Sequence, residues 1–121
     1  PDIPGALSCQ CLRNSSSMQI GGYATISGNT GDGLFLDMSS TAGVAGGLTV
    51  TGNTQDGIHL ESGGGIRFQY PYAPPGGTLL PPNNVTGAAG WVGVNCTDAI
   101  SWAAGATTGF ATPIKCNNVL D

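Results

Sequence analysis

Seven acidic side chains and a single histidine carry most of the acid–base and metal-binding potential of this 121-residue chain. Two pairs of acids recur at one offset: Asp32 with Asp56, and Asp37 with Glu61, each 24 residues apart. Hydrolysis of a glycosidic bond needs two carboxyl groups around one bond, so such pairs merit a test. Asp32 and Asp56 both sit inside turn-forming strings of Gly, Asn and Thr, where an aspartate caps backbone N–H groups. Turn capping therefore accounts for them. Elimination chemistry needs a base and a Ca²⁺ held by several carboxylates. Arg13, Arg67 and Lys115 are the only Lys or Arg residues, and none lies beside an acidic cluster in sequence. Asp37 and Glu61, if stacked and outward, offer two carboxylates to an ion that takes about six to eight oxygens. His59 falls at an outward strand position with no nucleophile to serve, which reads as a surface histidine. No Gly-x-Ser-x-Gly elbow or phosphate loop occurs, and Gly63-Gly64-Gly65 reads as a tight corner. The reading assigns no catalytic residue, no metal ligand and no cofactor, and takes the chain as a non-enzyme.

The cysteines and sequons place the chain. Cys9, Cys11, Cys96 and Cys116 make an even count in a small, Lys-poor protein, which favours disulfides and an oxidising compartment. Cys9 and Cys11 are too close for an easy mutual bridge. Each is therefore expected to pair with Cys96 or Cys116, tying the two ends together. Three Asn-x-Ser/Thr sequons are candidate glycan acceptors, at Asn14, Asn84 and Asn95. The first two lie in loop-like surroundings, whereas pairing of Cys96 would bury Asn95. The opening Pro1-Asp2-Ile3 reads as a processed end or as a piece of something longer.

Composition excludes whole classes. Three basic residues and a net charge of −4 cannot neutralise a phosphate backbone, which argues against nucleic-acid binding. No uninterrupted apolar stretch is long enough to span a membrane as a helix. Charged residues are only 8% and glycine is 21 of 121, so neither a long helix nor a conventional charged surface fits. Solvation must then come from neutral polar groups or attached sugar, unless neighbouring subunits cover the surface.

The elements that would position these residues come from an internal repeat. Residues 22–36 lie over residues 46–60 with eight identities in fifteen positions, where composition alone gives roughly one. Each unit holds two short alternating segments, Ala24-Thr25-Ile26 and Leu34-Phe35-Leu36, then Leu48-Thr49-Val50 and Ile58-His59-Leu60. If each unit winds one coil, equivalent residues stack about 4.8 Å apart as parallel strands. Ala24/Leu48, Ile26/Val50, Leu34/Ile58 and Leu36/Leu60 become inward rows. Thr25/Thr49 and Phe35/His59 face outward, and Asn29/Asn53 form a side-chain amide ladder. Gly28/Gly52 and Gly33/Gly57 are expected to supply backbone angles that side chains forbid. Met18-Gln19-Ile20, Val44-Ala45 and Ile66-Arg67-Phe68 are candidates for a third strand per coil. Five prolines between Pro71 and Pro82 end the pattern.

The strings Ser27-Gly28-Asn29-Thr30-Gly31-Asp32-Gly33-Leu34 and Thr51-Gly52-Asn53-Thr54-Gln55-Asp56-Gly57-Ile58 resemble coils of right-handed parallel β-helix proteins. That superfamily includes pectate-lyase-like enzymes, phage tailspikes and bacterial surface proteins. The likeness covers about residues 18–69 and speaks to the coil rather than to function. Asn53-Thr54-Gln55-Asp56-Gly57-Ile58 is also similar to an Asn-Thr-Asp-Gly-Ile motif of polygalacturonases. It departs by an inserted Gln55 and lacks the paired-Asp, Gly-His-Gly and Arg-x-Lys companions.

The expected fold is all-β: a short right-handed parallel β-helix with irregular, disulfide-tied flanks. Residues 1–17 form an N-terminal extension, 18–69 the coils, 70–84 a Pro-rich loop and 85–121 a C-terminal β-rich segment. The expected function is structural. A secreted, cell-surface homopolymer would assemble head to tail through its flanks into a filament, sheath or appendage. Three alternatives stand beside it. One is a carbohydrate-directed module using Tyr70, Tyr72, Trp91 and Trp102 as a stacking platform. Another is a phage fibre segment, and the last is a β-sandwich pilin-type subunit.

Overall fold

The computed structural model describes residues 2–3, 10–69, 72–96 and 101–102. Twelve short strands follow one another without a helix among the described residues. They are β1 (Asp2–Ile3), β2 (Gln10–Leu12), β3 (Ser17–Ile20), β4 (Thr25–Ser27), β5 (Leu34–Leu36) and β6 (Thr41–Val44). β7 (Thr49–Thr51), β8 (Ile58–Leu60), β9 (Gly65–Phe68), β10 (Asn84–Val85), β11 (Val94–Asn95) and β12 (Ser101–Trp102) complete them. Every third strand pairs in parallel, giving three four-stranded sheets: β1-β4-β7-β10, β2-β5-β8-β11 and β3-β6-β9-β12. The chain is a parallel β-helix with three strands per coil. Parallel pairing throughout rules out the sandwich, which is built from antiparallel strands. No helix among the described residues is long and apolar enough to cross a membrane.

The period of two along each strand explains the core. β5 and β8 alternate buried, half-buried, buried, because successive side chains point to opposite faces. The pairings Ile26↔Val50, Leu34↔Ile58 and Leu36↔Leu60 place like residues directly over one another. All the expected inward residues are buried, and the column continues through Ile20, Val44 and Phe68 in the third sheet. Val85, Val94 and Cys96 extend it into the last coil. One continuous aliphatic interior thus runs along the helix axis.

The coil also runs beyond residues 18–69. β1 and β2 arise in the N-terminal extension and β10–β12 from Asn84 onward, yet all pair as rungs of the same sheets. The repeat is hidden after Gln69 because the last coil is longer. Thr49 pairs with Asn84 and Ile58 with Val94, separations of 35 and 36 residues instead of 24. The extra length is the Pro-rich segment, which returns to the coil corner. Leu80 is buried there, Gly47 N–H donates to Pro81 O at 2.8 Å, and Leu48 N–H donates to Asn83 Oδ1 at 2.9 Å.

Corner geometry repeats at the same offset even where the residue type does not. Asn14, Met38 and Ser62 have φ of 57°, 51° and 50°, and Tyr23 at 50° matches Gly47 at 68°. Stacking therefore imposes left-handed backbone on residues that disfavour it. The amide ladder forms as well: Asn29 donates from Nδ2 and from its backbone N–H to Asn53 Oδ1, at 2.8 and 3.0 Å.

The glycines divide into two kinds. Gly28 and Gly52 have φ of 75° and 69°, as expected. Gly33 and Gly57 have no positive φ; they are small because the coils touch there. A Cβ on Gly57 would lie 2.6 Å from Gly93 O and 2.7 Å from Val85 Cγ1. Gly57→Ala is expected to cost about 3 kcal/mol through overpacking, and Gly52→Ala about 1 kcal/mol through backbone strain. Asparagine, which tolerates left-handed backbone, restores most of the loss at Gly52 and none at Gly57. Urea denaturation of the four variants measures this.

Candidate functional site

Cys11, Phe35, His59 and Asn95 occupy equivalent positions on β2, β5, β8 and β11 and so form one outward row. The corner before each strand delivers an aspartate beside that row, Asp32 ahead of β5 and Asp56 ahead of β8. One oxygen of each does the expected capping, but on the next coil rather than its own. Asp56 N–H donates to Asp32 Oδ1 at 2.9 Å, and Val92 N–H donates to Asp56 Oδ1 at 3.0 Å. This fixes both carboxylates, and their second oxygens turn toward His59. Nδ1 of His59 lies 3.3 Å from Asp32 Oδ2 and 3.5 Å from Asp56 Oδ2. Asn95 Nδ2 donates to Asp56 Oδ2 at 3.0 Å. Glu61 closes the far side of the ring, with Oε2 3.2 Å from Nε2. The contact is off the N–H axis, so the buried Nε2 gains a nearby charge but no directed hydrogen bond.

The expected surface histidine is thus enclosed, with 20% of its side chain exposed. Phe35 packs edge-on beneath it, with centroids 5.1 Å apart, and the Arg13 guanidinium covers the Phe35 ring at 5.4 Å. Arg13 also lies 3.8 Å from Asp37. Asp37 is buried rather than outward and lies against Arg13, while Glu61 lies against His59, so the two carboxylates serve different partners. The hydrogen bond to Asp32 holds the His59 pKa above its ordinary 6.5. Burial opposes this, and the charges of Asp32, Glu61 and Asp56 add to the rise. Asp32, Asp56 and His59 each present one donor atom, and the three atoms lie within 4.8 Å of one another. The arrangement can hold a proton on the imidazole or a cation among the three donors.

The remaining candidates are dispersed. Asn14 and Asn84 are exposed, whereas the Asn95 amide is committed to Asp56. Trp91 is 48% exposed and Tyr72 37%. Tyr70, the Trp102 side chain and Lys115 lie outside the described residues, and Arg67 is exposed on β9. Cys11 and Cys96 are disulfide-bonded, and Cys9 and Cys116 lie outside the described residues. Cys11 and Cys96 are not joined to each other. Cys11 faces outward and Cys96 is fully buried inside the coil. About three strand spacings of 4.8 Å also separate them, beyond the reach of a disulfide. The Cys11–Cys96 pairing left open by the sequence is excluded, and the tie between the flanks is not established by the described residues.

The His59 cluster is not evident from sequence proximity, since only Asp56-x-x-His59 is local. The available signal is Asp32, one period before Asp56, in a coil whose outward row meets its corner. No protein-family model matches the chain, and comparisons with curated proteins and with solved structures give no match. The site is read from its geometry alone.

With the folded pKa raised, the stabilisation from protonated His59 is fully present below pH 6.5. It is lost as pH rises through the folded value. In metal-free buffer, NMR titration of this sole imidazole is expected to give a midpoint above 6.5. A midpoint at or below that value contradicts the enclosure by Asp32, Asp56 and Glu61.

Proposed function

We propose that the protein is a secreted structural subunit that builds an extracellular filament, sheath or cell-surface appendage by head-to-tail stacking of coils. The observation that carries this reading is the uniform parallel polarity of all three sheets. β1, β2 and β3 form one end of the ladders and β10, β11 and β12 the other. Parallel strands make these two edges complementary, because each offers what its neighbour inside the coil already uses. The spacing that seats β7 on β4 would seat one copy on the next. Such contacts are heterologous and extend into open fibres unless the rotation closes. Disulfide-bonded Cys11 and Cys96 support an oxidising compartment. Exposed sequons at Asn14 and Asn84 support attached glycan on the outer surface.

Thr41 N–H bonds to Ser16 O, and Ala45 N–H bonds to Ile20 O. The even-numbered residues of this edge thus face β6, and the N–H of Gln19 faces the opposite way. Gln19→Pro removes that donor. Negative-stain microscopy and light scattering are expected to show filaments for the native protein. Gln19→Pro is expected to keep the β-rich circular dichroism and to lose the filaments. A compact native monomer across the micromolar range, or unchanged filaments in Gln19→Pro, overturns the reading.

A carbohydrate-directed reading draws on one observation. Trp91 is half-exposed immediately before Val92, which Asp56 holds against the outward row. An aromatic face beside carboxylates suits sugar stacking. On a glycan array, this reading expects binding that Trp91→Ala abolishes; silence across the array dismisses it.

A further inference from the structure

We propose that Asp32, Asp56 and His59 form a binding site for a divalent transition-metal cation of the zinc type. The donor set is Oδ2 of Asp32, Oδ2 of Asp56 and Nδ1 of His59. Around an ion with bonds of about 2.0–2.1 Å, tetrahedral ligands sit about 3.4 Å apart. The two edges from Nδ1 are 3.3 and 3.5 Å, close to that separation, and the third edge, between the two carboxylates, lies within 4.8 Å.

Three further features point to a cation. The carboxylates are preorganised: each commits its other oxygen to a backbone N–H of the next coil, and Asn95 steadies the Asp56 ligand atom. Outer contacts of this kind orient ligands in metal sites and tune their affinity. Negative charge is in excess. Three carboxyl groups face one imidazole, and the Asp32 and Asp56 side chains are only 10% and 3% exposed. The only nearby guanidinium, Arg13, lies against Asp37 and Phe35. Finally, Glu61 stands beside Nε2, the nitrogen that the metal does not use, whose N–H is buried without a directed hydrogen bond. A rotation of the Glu61 side chain, itself 36% exposed, would align the carboxylate with that N–H and direct the Nδ1 lone pair at the ion.

The mixed nitrogen and oxygen set selects the metal class. Calcium wants more oxygens than are present, and magnesium favours an octahedral shell of oxygens and water. An imidazole with two carboxylates suits zinc and its first-row neighbours, with solvent in the fourth position. The ion would bridge neighbouring coils, since Asp32 belongs to the β5 corner and Asp56 and His59 to the next rung. The site is independent of filament assembly, so either reading can fail alone.

Zinc titration of the chelator-treated chain, followed by calorimetry and by the His59 imidazole NMR signals, tests the proposal. The native chain is expected to bind one zinc per chain at micromolar concentration or tighter. Its melting temperature rises and the imidazole shows Nδ1 coordination. His59→Phe, which copies Phe35 of the previous rung, is expected to fold and to lose this binding. Asp32→Asn keeps the oxygen that caps Asp56 and is expected to bind about tenfold more weakly or worse. No zinc binding by the native chain, or binding undiminished in folded His59→Phe, overturns the proposal.

Discussion

The whole molecule depends on parallel strands stacking in register at a fixed offset along the chain. Thr49 N–H reaching Ala24 O at 2.8 Å is one instance, and each such bond sets the next residue over its predecessor. From that constraint follow the aliphatic rows, the Asn29–Asn53 amide pair and the recurring left-handed corners. The same constraint explains why Tyr23, Met38 and Ser39 tolerate positive φ. A corner shared by successive coils is fixed by the ladders on either side, which outweigh a local cost of about 1–2 kcal/mol per residue.

Stacking also turns sequence positions far apart into a chemical cluster. Asp32 and His59 are separated by more than a full coil, yet their side chains are 3.3 Å apart. Each aspartate divides its labour, with one oxygen holding the next coil's backbone and the other facing the imidazole. The fold and the cluster are therefore coupled. Strengthening contacts around His59 would clamp adjacent coils, and slippage between coils would disperse the donors. Phe35 shows what the row looks like without the histidine: an aromatic ring capped by Arg13, which also lies against Asp37.

Much of the coil could be read from residue order. The inward rows, the outward Phe35/His59 pair and the Asn29–Asn53 contact follow from periodicity alone, because strand parity and a repeat length fully define who stacks on whom. The third sheet was legible only in outline, since Met18, Ala42 and Ile66 share hydrophobicity but little identity. The final coil was not legible, because the Pro-rich segment lengthens it and shifts every partner by eleven or twelve residues relative to the earlier offset. Gly33 and Gly57 were misread for a physical reason: sequence reports the absence of a side chain but not whether angle or space demands it. The His59 cluster escaped because it forms sideways, where a corner meets a strand face, and no period along the chain encodes that distance.

The most direct test of this account is the pattern of long-range backbone contacts in an isotope-labelled sample. Interstrand NOEs and through-hydrogen-bond couplings should join residues at a constant difference of 24 across β4–β7, β5–β8 and β6–β9. Contacts in which the residue numbers instead keep a constant sum would mean antiparallel hairpins. That result would contradict the coil, and with it both the stacking subunit and the cluster at His59.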